Sequence, residues 1–310
     1  MGEPLKQEVF EDVQNTSTHR PFGMRDKIGY LMGDFGNDFF FLLVSSYLMV
    51  FYTDIFHISA GTVGALFMFA RIWDAFADVT WGRFIDTRPA SKHGKFKPWI
   101  LRMSFPLVIS GVLMFVTIPG MGDGFYLAWA FVTYIVWGTL YSTVNIPYGS
   151  MASVITDKPD ERTTLSTWRT AGSMLASLII NAGAPLIVMV DNKLDANRMF
   201  MAACIFGVLS ICCYMACYKM STERIAAPVQ AKGNANLKAT LKGLVKNKPL
   251  LWILAASLLF MMNTMLMGTV NVYLFKDYFQ SAAALSIFAI VQTGACFVAM
   301  PLVKPLVTKF

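Results

Sequence analysis

Eight stretches of roughly 20 mostly apolar residues divide this 310-residue chain, at about 28–52, 61–84, 99–118, 125–149, 165–190, 199–218, 250–275 and 282–303. As a helix, each is long enough to cross the ~30 Å hydrocarbon layer of a bilayer. Only helices and closed barrels satisfy their backbone polar groups in lipid, and long unbroken apolar runs favour the helix. The chain is therefore expected to be an all-α integral membrane protein. Composition agrees, with 55% apolar and 15% charged residues against about 45–50% and about 25% in soluble domains. Residues 1–27 are polar and mixed in charge with no apolar core, so no cleavable signal is expected and the first span directs insertion.

Lysine and arginine set the orientation. With the N-terminus in the cytoplasm, twenty basic residues fall on inside segments and only Lys193, Arg198 and Lys276 outside, which satisfies the positive-inside rule. The net charge of +7 thus reports topology. The basic residues are spread over several loops, which argues against nucleic acid as a partner. Four of the five cysteines (Cys204, Cys212, Cys213, Cys217) share the sixth span and Cys296 lies in the eighth, a pattern of packing residues and of no structural metal or disulfide framework. Lys219 to Pro249 is basic, with glycines and no apolar run. It separates a six-helix bundle (28–218) from two further helices (250–310), and 1–27 reads as a cytoplasmic tail.

Charge at membrane depth carries the functional reading. Arg71, Asp74 and Asp78 interrupt the second span, although a charge at a helix centre in lipid costs roughly 2.5–3.5 kcal/mol. At about 100° per residue the three share a stripe about 60° wide. In the first span Tyr30, Asp34, Asn37, Asp38 and Ser45 share a face, and in the fourth Tyr134, Gly138, Tyr141, Asn145 and Tyr148 do, with Ser142 beside them and Pro147 below. Arg169 in the fifth span needs an anionic partner, which Asp34 or Asp38 can supply. A purely structural ion-pair cluster is one reading. Four carboxylates (Asp34, Asp38, Asp74, Asp78) against two arginines (Arg71, Arg169) leave excess negative charge, which must be protonated, bound to a cation or hydrated. Each outcome implies a pathway. Gly29 and Gly33, four apart, permit close helix contact.

Two other classes are weighed. Gly120-Met121-Gly122-Asp123 matches an intramembrane aspartyl protease string, but it follows Pro119 in a short external turn. A light-driven proton channel lacks its lysine in the seventh span. A lipid or other small-solute transporter on the same scaffold is the nearer rival, and it would show an apolar lining around Asp38, Asn145 and Arg169.

The segments Gly33-Asp34-Phe35-Gly36-Asn37-Asp38-Phe39, Tyr52-Thr53-Asp54, Ala70-Arg71-Ile72-Trp73-Asp74-Ala75-Phe76-Ala77-Asp78, Gly94-Lys95-Phe96-Lys97-Pro98-Trp99 and Asn145-Ile146-Pro147-Tyr148 resemble those of the glycoside-pentoside-hexuronide:cation symporters, the melibiose-permease-like branch of the major facilitator superfamily. The resemblance runs from about residue 25 to the end. It implies a fold of two six-helix halves, of which this chain holds the first and two helices of the second, and a secondary active symporter that takes up a sugar or glycoside with H⁺ or Na⁺. It implies no enzyme and no cofactor beyond the coupling ion, and a monomer in the plasma membrane. Asp74 and Asp78 match the family's cation-site carboxylates and Ser142 its hydroxyl ligand. Ala77 stands where an asparagine is expected, which removes an oxygen from a hard-cation cage and favours proton coupling. Asp38 and Arg169 match sugar ligands, with Tyr148 beside them. Asn37 replaces a lysine, Asn145 an aspartate and Gly149 a tryptophan, which turns the expectation from galactosides toward a xyloside, glucoside or hexuronide. Asp34, Arg71, Arg83 and Asp86 are expected to gate, the last two in a latch running from Gly82 to Lys97. The 310 residues alone are expected not to transport.

Overall fold

The computed structural model describes residues 20–91, 93–226 and 247–309, with side-chain surroundings to Cys296. Eight long helices follow the eight expected spans: α1 (Met24–Asp54), α2 (Ala60–Asp86), α3 (Lys97–Leu113), α4 (Asp123–Ile155), α5 (Pro159–Val188), α6 (Ala196–Met220), α7 (Lys248–Tyr278) and α8 (Ala282–Lys309). Among the described residues, five of them (α1, α4, α5, α6, α7) are long and apolar enough to cross a membrane. The tail expectation over residues 1–19 and the loop expectation over 227–246 lie outside the described residues; α1 itself begins at Met24.

Boundaries differ from expectation for local reasons. α3 stops at Leu113, short of 118, and partners from α4 take the carbonyls left free there. Trp129 Nε1 donates to Leu113 O at 3.0 Å, and the Tyr126 hydroxyl to Ile118 O at 2.8 Å. α4 runs through Pro147 to Ile155, about 50 Å at 1.5 Å per residue. α1 and α5 each widen into one π turn, at Val44–Leu48 and Ile179–Gly183, and α7 ends in another at Leu274–Tyr278. After α5 a two-residue hairpin, β1 (Met189–Val190) with β2 (Lys193–Leu194), turns at Asp191-Asn192, both at positive φ, the conformation that asparagine and aspartate tolerate best.

α1 is the centre of the bundle. It packs along α5 on one side and α6 on the other, while α3 packs on α4 and α6, and α2 on α4. The α1–α6 contact is a seam of small residues. A Cβ built on Gly29 would lie 2.8 Å from Met220 Cβ, one on Gly33 2.2 Å from the Tyr148 ring and 3.0 Å from Cys217 Sγ, and one on Gly36 2.8 Å from Cys213 Cβ. The close approach foreseen for Gly29 and Gly33 is thus realised, with Gly36 extending it. It also accounts for two of the cysteines: Cys213 and Cys217 are buried free thiols on the facing side of α6. Across the seam the Ser210 hydroxyl donates to Gly36 O at 2.6 Å.

At the end where α1 starts, Asp26 is fully buried and holds Arg20 at 2.9 Å and Arg224 at 2.8 Å, while its oxygens accept from Gly23 N and Thr222 N. Next to this knot the Glu223 carboxylate accepts from the backbone N–H groups of Lys95 (2.6 Å), Phe96 (3.0 Å) and Lys97 (2.7 Å) at the start of α3. A helix N-terminus favours an anion in that position. Gly94 at φ 105° makes room, since a Cβ there would meet the Glu223 carboxyl carbon at 2.5 Å.

α7 and α8 meet the six-helix bundle toward the opposite end, α7 along the π turn and last turns of α1, and α8 along the π turn and outer part of α5. Lys276 pairs with Asp54 there, the Thr53 and Tyr273 hydroxyls lie 2.8 Å apart, and Asn192 Oδ1 accepts from Ala282 N at 2.9 Å. Thr269 donates to Ser45 O at 2.8 Å, a carbonyl within the π turn of α1.

The seam makes a direct prediction. Gly33→Ala forces its new methyl into the Tyr148 ring and should cost about 1–3 kcal/mol, the usual range for overpacking, read as a lower unfolding temperature in detergent. Gly149→Ala, with open space around it, should change stability little. Equal stability of the two variants would remove the seam from the fold's requirements.

Candidate functional site

α1 delivers three polar side chains to the bundle interior within five residues. Asp38 lies about 21 Å along the helix from Met24 and about 24 Å from Asp54, hence mid-helix. Asp34, Asn37 and Asp38 are all buried. Asp34 accepts from Arg169 Nε at 3.0 Å, so of the two carboxylates open to Arg169, Asp34 is the one that pairs. The Arg169 guanidinium lies over the Tyr148 ring at 5.4 Å, and that ring stacks on Tyr30 at 4.7 Å while its hydroxyl donates to Tyr30 O at 2.6 Å. Asp38 faces Ser173, one turn along α5 from Arg169.

Asn37 is a junction of three helices. Its amide donates to the Tyr141 hydroxyl at 2.8 Å and to Asn145 Oδ1 at 3.4 Å on α4, and its oxygen accepts from the Tyr214 hydroxyl on α6 at 3.0 Å. Asn145 and Tyr141 are half-buried. The expected sugar-site residues Asp38, Asn145, Arg169, Asn37 and Tyr148 therefore lie on facing parts of α1, α4 and α5. Their neighbours include the polar side chains of Asp34, Ser173, Tyr141 and Tyr214.

The second cluster lies between α2 and α4. Asp74 is mid-helix, about 21 Å from Ala60 and about 18 Å from Asp86. Arg71 Nη1 reaches its Oδ2 at 3.5 Å, but Asp74 Oδ1 is buried with no hydrogen-bond partner among the described residues. It faces the bare backbone of Gly138, where a Cβ would stand 2.8 Å from it. Such orphaned polar atoms are rare in folded proteins and call for an explanation. Ser142, one turn further, is buried and donates to Gly138 O at 3.3 Å. Asp78 is exposed, while Ala77 between the two aspartates is buried. Arg71 also touches Met265 Sδ on α7 at 3.6 Å.

The loop between α2 and α3 is held by its own bundle. Lys95 Nζ donates to the backbone oxygen of Asp86 at 3.1 Å, Arg88 stacks on Phe84 at 4.4 Å, and Arg83 is exposed. Of the expected gating residues, Asp34 and Arg71 sit in the two polar clusters and Arg83 and Asp86 at this end. Sequence reasoning passed over Glu223, which clasps this loop, and the Asp54–Lys276 pair. Asp54 was visible in Tyr52-Thr53-Asp54, and Lys276 as a lone basic residue between the seventh and eighth spans. Asp123 of the protease-like string is exposed at the first turn of α4, after Gly120 at φ 85°.

Comparison with known proteins fits this arrangement. Residues 29–310 match the model of the MFS/sugar transport protein family. An isoprimeverose transporter of Lactiplantibacillus pentosus is 37% identical over 81% of this chain and 52% of its own length. The inner membrane symporter YicJ of Escherichia coli K12 is 38% identical over 66% of this chain and 44% of its own length, and a glucuronide carrier protein homolog of the same organism is 29% identical over 92% and 62%. The chain thus spans about half the length of these relatives. They are transporters and not enzymes, which removes the protease reading, and this multi-pass membrane chain belongs to the glycoside-pentoside-hexuronide:cation symporter type of the major facilitator superfamily.

Proposed function

We propose that the protein is a cation-coupled sugar or glycoside symporter of the plasma membrane, N-terminus cytoplasmic, that works by alternating access around two adjoining mid-helix sites. The single observation that carries the coupling is the orphaned oxygen of Asp74 against Gly138. A carboxylate at that depth with one oxygen unpaired is an acceptor for a proton or a small cation. A proton needs no further ligands, and Ala77 contributes no side-chain oxygen, so H⁺ is the favoured ion and Na⁺ the alternative. Asp78 lies one turn away as the exchange partner, and Ser142 as the neighbouring hydroxyl.

On the sugar side, Asp38, Asn145 and Arg169 offer an acceptor, a mixed amide and a donor to sugar hydroxyls, and Tyr148 an aromatic face. α4 is the wall common to both sites: Gly138 meets Asp74, while Tyr141 and Asn145, one and two turns on, hold Asn37 next to Asp38. Neutralising Asp74 lowers the cost of closing a low-dielectric cavity over it, so ion and sugar stabilise the same closed state. By linkage each then tightens the other by an equal factor, typically about 5–150-fold. The Asp54–Lys276 pair with Thr53–Tyr273 fits an external gate in its closed position.

Equilibrium sugar binding to purified protein across pH and Na⁺ tests the coupling. With H⁺ as the ion, protonated Asp74 is the binding-competent form. Affinity should then be highest at low pH and fall about 5–150-fold as pH rises through the titration of the site, with Na⁺ making no difference. Asp74→Asn should bind sugar with a flat pH profile, and a mutant that kept the wild-type profile would place coupling elsewhere. Arg169→Lys should weaken sugar binding tenfold or more, because an ammonium has neither the Nε that meets Asp34 nor a planar face for Tyr148. Unchanged affinity would take Arg169 out of the site.

A further inference from the structure

Two contacts fix the register of α3 against α6. Val108 lies 2.9 Å from a Cβ built on Gly207, and the Lys97 ammonium sits over the Tyr218 ring at 5.1 Å. The contacts come in opposite order on the two helices, eleven residues apart on each, so α3 and α6 run antiparallel. One position on from this contact line, about 100° round each helix, come Arg102, Phe105 and Ile109 on α3 and Val208, Met215 and Lys219 on α6. All six are exposed. Because the helices are antiparallel, a step in the same sense carries both stripes to the same outer face. They flank one groove, and α7 and α8, packed on α1 and α5, leave it open.

Both cations stand at one end of this groove. Arg102 is five residues into α3, about 8 Å from its start, on a face that is otherwise apolar. A cation facing hydrocarbon is costly without an anion beside it. Yet neither Arg102 nor Lys219 has a carboxylate within ion-pair distance or a side-chain hydrogen bond among the described residues. The carboxylates at this end are engaged: Asp26 holds Arg20 and Arg224, and Glu223 holds the backbone at the start of α3. In the antiparallel register Arg102 stands level with Cys213, about 9 Å along α6 from Lys219. Cα–Cβ bonds lean toward a helix's N-terminus. Arg102 thus leans toward the end where α3 begins, and Lys219 leans back toward the level of Arg102. A phosphate between them would meet a guanidinium and an ammonium, with the apolar trough of Phe105, Ile109, Val208 and Met215 below it.

We infer that the α3–α6 groove is a binding site for an anionic phospholipid of the leaflet at the end where α1 starts. Arg102 and Lys219 hold the phosphate, and an acyl chain lies along the trough. The occupant is a lipid because cationic and apolar surfaces are contiguous, which suits an amphiphile and not a free phosphate. With the N-terminus inside, as proposed above, this is the cytoplasmic leaflet, whose anionic lipids are drawn to basic residues at helix ends. The site lies apart from the residues proposed for sugar and ion and does not rest on that reading.

Native mass spectrometry of the purified chain tests it, with dioleoyl phosphatidylglycerol titrated against dioleoyl phosphatidylcholine. Wild type should bind the first about tenfold tighter, the order expected of two cations beside an anionic lipid. The double variant Arg102→Gln with Lys219→Gln, at two exposed positions, should keep the wild-type unfolding temperature in detergent and bring that ratio close to one. Each single substitution should give an intermediate ratio. Arg198→Gln, which removes a cation from the opposite end of α6, should leave the ratio unchanged. Excess glycerol 1-phosphate, a headgroup without chains, should not displace the lipid. Equal binding of the two lipids by wild type, a preference that survives the double substitution or is lost equally in Arg198→Gln, or displacement by glycerol 1-phosphate overturns the site.

Discussion

The close approach of α1 to α6 is the constraint on which the rest of the structure depends. Lipid gives two apolar helices no hydrophobic reason to associate, so packing and interhelical hydrogen bonds must hold them. Gly29, Gly33 and Gly36 let α6 come within contact of the α1 backbone, and Cys213, Cys217 and Ser210 meet them with small side chains. With that face committed to α6, Asp34 and Asp38 are turned toward α5, and Asn37 toward α4 and α6.

The two ionic centres are built on opposite principles. The Asp26 knot is a closed structure, in which the carboxylate has two arginines and two backbone N–H groups and no capacity left over. Breaking such a pair is costly because it strands the partner charge, which suits an anchor that ties the start of α1 to the end of α6. Asp74 is the reverse. It has a single arginine at 3.5 Å and one buried oxygen with nothing to accept. A group left unsatisfied at that depth is favoured once it holds a proton or an ion, and the proposed coupling rests on that difference.

Most of the helical layout was legible because its signal is long and simple. Runs of about 20 apolar residues located all eight helices, and the in-register carboxylates of the first and second spans identified both polar clusters. Ends were less legible. α3 ends before Pro119 by a margin that depends on Trp129 and Tyr126 from another helix, and nothing local announces that. The π turns were invisible, since they arise from packing: Ser45 O is taken by Thr269 of α7, a partner 224 residues away in sequence. The pairing of Arg169 with Asp34 in preference to Asp38 turns on four residues of helical phase between equivalent carboxylates, which periodicity alone cannot rank. Glu223 escaped because three backbone N–H groups recognise it, and backbone donors leave no trace in a sequence.

A single helix, α4, is the wall common to the two proposed sites. α4 presents Gly138 to Asp74 and, on the same stripe, Tyr141 and Asn145 to Asn37. In the proposed mechanism, a change of charge at Asp74 that alters how closely α2 lies on Gly138 is carried along α4 to Tyr141 and Asn145. Asn37 is bonded at the same time to Tyr214 of α6, which is fixed by the glycine seam. The junction can then yield only by moving α1 and α6 together, and α1 carries Asp54 at its far end. The helix proposed to bind sugar is thus also the helix that bears the proposed gate, so that in this mechanism ion, sugar and gate share one mechanical element.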